Sequence, residues 1–225
     1  MRPLVISPEP LISLGPVIIT KTVTTTWLIM AVITLVCWFA KRHLSLKKQK
    51  PSRLQEALEA GLEAVENMAK DVLPDVDPWL VIPVIGTLWI LIGVSNLAGL
   101  IPGLKTPTAD INTTFAFAVL SYSMTHFFGI KTRGLKGYVS HYVKPSWVLL
   151  PFHLIAETTR TMALAVRLFG NMLSGEMTAA IVLGIAGLLV PVPFALLHII
   201  IGLIQAYIFG VLTLVFIAGG IQKEA

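Results

Sequence analysis

Cysteine is nearly absent from this sequence. The single Cys37 excludes any disulfide within the chain. Charge is scarce as well: Asp, Glu, Lys and Arg make up 13% of 225 residues, against roughly 25% in ordinary soluble domains. There is no Gly-rich loop of the Walker type and no run of His, Cys, Asp or Glu at metal-ligand spacing, so neither a cofactor nor a metal is expected. A cleavable leader is not expected either, because prolines at positions 3, 8, 10 and 16 leave the first residues without an apolar core. The net charge of +5 does not make a nucleic-acid surface. Lys41, Arg42, Lys47, Lys48 and Lys50 follow one apolar run, and Lys131, Arg133, Lys136 and Lys144 follow another. That is the distribution of cytoplasmic loops, not of a basic stripe.

What the sequence does contain is apolar. Hydrophobic residues are 55% of the chain. A soluble fold of this length cannot hide that much apolar surface and still present a polar exterior, so the bilayer is the expected solvent. The pattern predicts an all-α membrane protein, a single membrane domain over 1–225, with about five transmembrane helices and one amphipathic surface helix. An outer N-terminal segment, 1–22, precedes a first span at 23–40, with Trp27 and Trp38 near its ends. The amphipathic helix covers 52–72: Leu54, Leu58, Leu62, Val65, Met68 and Val72 recur at helical spacing, with Glu56, Glu59, Glu63 and Glu66 opposite. An acidic polar face suits a protein partner or the flank of the chain's own bundle better than lipid. Further spans are expected at 79–100 and 111–130, the latter capped by Asp110 or Asn112.

From Trp147 to Gly220 the chain is almost wholly apolar, with a turn expected at Pro191-Val192-Pro193. This makes a long helix, 147–190, and a last helix, 193–220. Forty residues of helix reach about 60 Å, twice the hydrocarbon thickness of about 30 Å, so the hairpin must tilt strongly or bend. The basic clusters place the amino terminus outside and Gln222-Lys223-Glu224 in the cytoplasm.

Four charged residues fall in this hairpin: Glu157, Arg160, Arg167 and Glu176. Ionisable groups at membrane depth cost about 3 kcal/mol or more and normally face protein or water. Arg160, Arg167, Asn171 and Ser174 fall within about 60° of helical arc and form one polar stripe. Glu176 lies on the opposite side and about 13 Å further along, so it cannot neutralise Arg167 within the helix. Arg167 therefore requires an anion from another helix or another chain. On the last helix, His198 and Gln205 share a face; Gln205 can approach the Arg167–Asn171 stripe, and His198 lies at the depth of Glu176. Plainer roles fit several of these residues. Arg160 can snorkel to headgroups, Glu157 can pair with Arg160, His198 can bond a carbonyl, and Asn171 and Gln205 can be interhelical glue.

The run from Arg167 to Glu176, RLFGNMLSGE, resembles the signature of the a subunit of F-type ATP synthases. TPTADINTT at 106–114 and the Gln205-bearing last helix are similar to that family's segments, as are Asn67-Met68 in the surface helix and the basic loop ending in Lys144-Pro145. The resemblance implies the ion-translocating stator subunit of the Fo motor in a bacterial plasma (inner) membrane. It makes Arg167 the essential stator arginine facing the carboxylates of the rotating c-ring, and packs the tilted hairpin against that ring. Asn171 and Gln205 become its polar neighbours, Glu176 and His198 part of the outer half-channel, and Arg160 a basic position seven residues before the arginine. The inner half-channel candidates are Glu157 and His153. The implied partners are the c-ring, the b subunit of the peripheral stalk, the F1 sector indirectly, and lipid. Catalysis belongs to other subunits, and the coupling ion, H⁺ or Na⁺, is set by the ring. The competing reading is a self-contained secondary transporter or channel with Arg167 as an anion site; it expects an internal repeat, and none is visible.

Overall fold

The computed structural model describes residues 10–14, 17–43, 53–74, 76–101, 104–143, 147–187 and 190–221. Lys47, Lys48, Lys50, Lys144-Pro145 and the terminal 222–224 lie outside the described residues. Among the described residues six α-helices carry the chain: α1 (Lys21–His43), α2 (Arg53–Val72), α3 (Ile82–Ala98), α4 (Ile111–Val143), α5 (Leu150–Ala186) and α6 (Pro191–Ile221). Three of them, α1, α5 and α6, are long and apolar enough to cross a membrane; α3 is a shorter apolar helix of 17 residues, about 25 Å. The chain is an all-α membrane protein in its architecture.

Two short strands precede α1. Strands β1 (Pro10–Leu14) and β2 (Val17–Thr20) pair antiparallel, Leu14 opposite Val17 and Pro10 opposite Thr20, with an irregularity between Pro10 and Ile12. This hairpin lies in a segment for which the sequence suggested no element. Its ingredients are local, a run of β-branched Val17, Ile18, Ile19 and Thr20 with Gly15-Pro16 before it.

Side-chain contacts fix how the helices run. Thr22 Oγ1 at the start of α1 donates to Asp110 Oδ2 at the start of α4, 2.6 Å away. Asn96 near the end of α3 donates to Gly202 O early in α6 (2.7 Å), while Trp89, earlier in α3, donates to Tyr207 O further along α6 (3.1 Å). Thus α3 and α6 are antiparallel. Helices α5 and α6 are antiparallel too, since Asn171 meets Gln205 and Gly175 meets His198. One end of the bundle therefore gathers the starts of α1, α4 and α6 with the ends of α3 and α5. The other end holds Arg133, whose Nε donates to Ile221 O at the close of α6, 3.0 Å away.

Two apolar cores lie along α6. One joins Ile85, Phe128, Leu214 and Ile217 to Ala69 and Leu73 of α2 and the segment after it; the other joins Leu88, Ile92, Phe117, Leu164, Leu168, Met172 and Phe209. Among the described side chains, helix α2 is docked by its C-terminal half. Val65, Met68 and Val72 pack against the first core, but Leu58 and Leu62 are exposed, and the side chain of Leu54 lies outside the described residues. Helix α5 buries a narrow stripe, Leu164, Ala165, Leu168 and Met172, and leaves the rest of its 37 residues, about 55 Å, largely uncovered by this chain.

Several boundaries differ from those read in the sequence, two of them for reasons visible in the backbone. Helix α6 starts at Pro191, not 193; proline suits the first helical turn, where its missing N–H has no partner to lose. The break before it includes Gly187 (φ 76°) and runs to Val190, with 188–189 outside the described residues. Helical structure in α4 runs on past 130 to Val143, across a kink at Gly134 (φ 72°, ψ 160°), a conformation open essentially to glycine alone.

Candidate functional site

Polar groups converge at three levels along α5. The middle level is Arg167. Its side chain is exposed, and among the described residues it makes no hydrogen bond or ion pair. One turn on, Asn171 Nδ2 donates to Gln205 Oε1 of α6 at 2.8 Å. Gln205 is buried, and its Nε2 finds no partner among the described residues. Ser174, the next residue of the stripe, is exposed and turns its hydroxyl to Asn171 O at 3.1 Å.

The second level lies about 13 Å further along α5, at the end where α3 closes and α4 begins. Here Glu176 Oε1 accepts from the backbone N–H of Thr106 (3.3 Å), in the short turn that leads into Pro107–Ala109. The ring of His198 lies against Gly175; a side chain there would overlap it, so close approach of α5 and α6 depends on glycine. His198 Nε2 and Thr106 Oγ1 are both buried without a partner among the described residues. Behind them Asn96 joins three elements: it donates to Gly202 O and accepts from Thr108 Oγ1 at 2.6 Å. Asp110 anchors the margin. Its Oδ1 accepts from Asn112 N–H at 3.0 Å, capping α4, and its Oδ2 accepts from Thr22. Of the two capping candidates in the sequence, Asp110 is the cap.

The third level lies about 15 Å from Arg167 in the other direction. A cavity of about 160 Å³ is lined by Tyr122, Thr125, His153, Glu157, Arg160, Thr161 and Phe216, with Gly219 and Gly220. Glu157 Oε1 is 3.7 Å from His126 Nδ1. The Arg160 guanidinium lies over the Phe216 ring, 4.8 Å from its centroid, so its charge faces an aromatic of α6.

The structure thus brings Asn171 to Gln205 and the His198 ring to Gly175, next in sequence to Glu176, and collects Glu157, His153 and Arg160 around one cavity. It does not bring Arg167 to any acid of this chain among the described residues. Several residues escape a reading of the sequence. His126, Tyr122 and Tyr138 have no local motif, and only the kink at Gly134 carries Tyr138 back to the others. Asn96 looks like an ordinary polar residue near a helix end, and Thr108 becomes its partner only through tertiary contact.

A family model described as ATP synthase A chain matches residues 23–218. ATP synthase subunit a 2 of Pelobacter propionicus is 49% identical over 215 residues, covering 96% of this chain and 92% of that protein. ATP synthase subunit a of Legionella pneumophila (strain Paris) is 50% identical over 212 residues, covering 94% and 91%. ATP synthase subunit a 2 of a Bradyrhizobium species is 43% identical over 216 residues, covering 96% and 95%.

Proposed function

The chain belongs to the ATP synthase A chain family, and from that premise we propose that it is the ion-translocating stator subunit of the Fo motor. The observation that carries this reading is Arg167: an exposed guanidinium on an otherwise apolar helix, with no counter-charge from the described part of its own chain. A guanidinium cannot lose its proton at physiological pH, so it is a fixed charge. At membrane depth it needs an anion, and a neighbouring chain must supply it.

The mechanism follows from the spacing of the three levels. A carboxylate on a rotating ring that comes beside Arg167 is favoured in its charged form by the opposite charge, and releases its ion. It reloads away from Arg167. Glu157 and Glu176 are nineteen residues apart on α5, about 28 Å, close to the hydrocarbon thickness of about 30 Å, with Arg167 between them. Polar groups around Glu176, His198, Thr106 and Asn96 form an outer half-channel; the Glu157, His153 and Arg160 cavity forms the inner one. An ion cannot pass straight from one to the other past a fixed cation, so it travels around on the ring. Each charge that crosses 100 mV is worth about 2.3 kcal/mol, and several per turn drive ATP synthesis at catalytic sites on other subunits.

Orientation and partners follow. The contact of Thr22 with Asp110 puts the starts of α1 and α4 on one side, so the basic residues Lys41 and Arg42 near the end of α1 and Lys131 and Arg133 just before the kink of α4 share the other. The positive-inside rule makes that side cytoplasmic, with the amino terminus outside. The uncovered face of α5 takes the c-ring, and the b subunit, with F1 beyond it, holds the stator. The membrane is a bacterial plasma membrane; the ion is H⁺ or Na⁺ according to the ring. The test is Arg167→Ala in the assembled complex in sealed vesicles. The complex assembles, and ATP-driven ion pumping is abolished; pumping at a measurable rate overturns the reading.

A further inference from the structure

Tyr138 follows His126 by twelve residues, which on a straight helix would separate them by about 18 Å. Instead the Tyr138 hydroxyl lies 2.6 Å from His126 Nδ1, because the chain turns at Gly134. Tyr138 is buried, and its ring lies against Gly129. The imidazole is also held from its own helix, edge to face with Tyr122 at 4.1 Å between centroids. The same Nδ1 is 3.7 Å from Glu157 Oε1, and Glu157 lines the cavity. One ring nitrogen therefore faces both a buried phenol and the carboxylate of the cavity.

A phenol hydroxyl can donate or accept. Toward a ring with a bare Nδ1, Tyr138 donates its O–H; toward a ring protonated there, it turns and accepts. The imidazole can take up and return a proton at Nδ1 without losing its hydrogen bond. We propose that His126, held by Tyr138, is the proton-exchanging partner of Glu157. The step is one proton transfer, direct after a small approach or through one water: the Glu157 carboxyl gives its proton to Nδ1, leaving carboxylate and imidazolium, and the reverse step restores both. Among the described residues, the groups that bear on it are Tyr122 of α4, Tyr138 beyond the kink, and Glu157, His153 and Arg160 of α5; α6 lines the cavity with Phe216, Gly219 and Gly220, none of which titrates. This proposal rests on the reading of the cavity as the inner ion path.

The test uses the assembled complex in membrane vesicles. ATP-driven proton pumping is measured from about pH 5.5 to 8.5, the range in which histidine chemistry operates, beside the amount of complex. His126→Gln keeps a polar amide but cannot take up a proton. Its ratio of rates at pH 6 and pH 8 is expected to differ from wild type by at least about threefold. Tyr138→Phe, which keeps the ring, is expected to shift that ratio the same way by less. Superimposable pH profiles for His126→Gln and wild type overturn the proposal, as does pumping that carries sodium and no protons. If His126→Gln does not accumulate, the Tyr138→Phe ratio decides alone. Glu157→Gln separates the two readings. Wild-type pumping by Glu157→Gln at every pH removes the inner path itself; impaired pumping there, with an unchanged His126→Gln profile, removes only the role of His126.

Discussion

Asn171 and Gln205 meet amide to amide across 2.8 Å, one helical turn from the exposed guanidinium of Arg167. The bond joins α5 to α6 where the fixed charge is presented, so Arg167 stands on a backbone whose position is set by α6.

Breaking that pair should be costly for a particular reason. An interhelical hydrogen bond in a membrane contributes only about 0.6 kcal/mol on average. A buried amide left without a partner costs about 1–3 kcal/mol. Asn171→Leu is therefore expected to destabilise the complex chiefly through the stranded Gln205. The double variant Asn171→Leu with Gln205→Leu should be at least as stable as the single one, read from the midpoint of thermal inactivation of the solubilised complex. A double variant distinctly weaker than the single would show that the Gln205 side chain stabilises the complex through other contacts, and that stranding it is not the main cost of Asn171→Leu.

Gly175→Ala places a methyl group where the His198 ring lies. Overpacking of this kind costs about 1–3 kcal/mol and forces the ring or the helix to move. ATP-driven pumping should fall, and a second substitution, His198→Ser, should recover part of the assembled complex by making room. Full pumping by Gly175→Ala would mean that the ring has an easy alternative position.

Asp110 serves two helices at once, as the cap of α4 and as acceptor from Thr22. Loss of a helix cap costs about 1 kcal/mol. A hydrogen bond to a charged group contributes about 1.5–3 kcal/mol. Asp110→Ala should lower thermal stability more than Thr22→Val, and Asp110→Asn, which can still cap, should fall between them. Equal effects for all three would deny the double role.

Gly134→Ala sets an L side chain at φ 72°, ψ 160°, which costs about 1–3 kcal/mol. The chain beyond the kink should straighten and withdraw Tyr138 from His126. The measurable result is increased hydrogen exchange of 135–138 in the solubilised complex. Unchanged protection would show that the turn is held by contacts other than the glycine.

Because Cys37 is the single cysteine, Cys37→Ala gives a clean background for labelling. Glu157→Cys should react with a membrane-impermeant thiol reagent from the cytoplasmic side, and Glu176→Cys from the opposite side. Reaction of both from one side would contradict two half-channels.

Much of the site was legible because helical periodicity is local. The positions of Arg167, Asn171 and Ser174 follow from 100° per residue, and the shared face of His198 and Gln205 from their spacing of seven. The isolation of Arg167 from Glu176 follows in the same way. His126, Tyr122 and Tyr138 were not legible, because the approach of Tyr122 and His126 to Glu157 depends on the packing of α4 against α5, and that of Tyr138 to His126 on one backbone conformation at Gly134. The partial docking of α2 was equally hidden: a helical apolar stripe shows a face but not how much of it another element covers.

By itself the sequence determined that the chain lives in a bilayer, that its helices are long and apolar, and which few charges stand at depth, since hydropathy and helical pitch act along the chain. Only the tertiary structure decided which of those polar groups touch. Hydrogen bonds and ring contacts operate over about 3–6 Å, and what comes that close is settled by crossing helices, a kink and the absence of a side chain at Gly175.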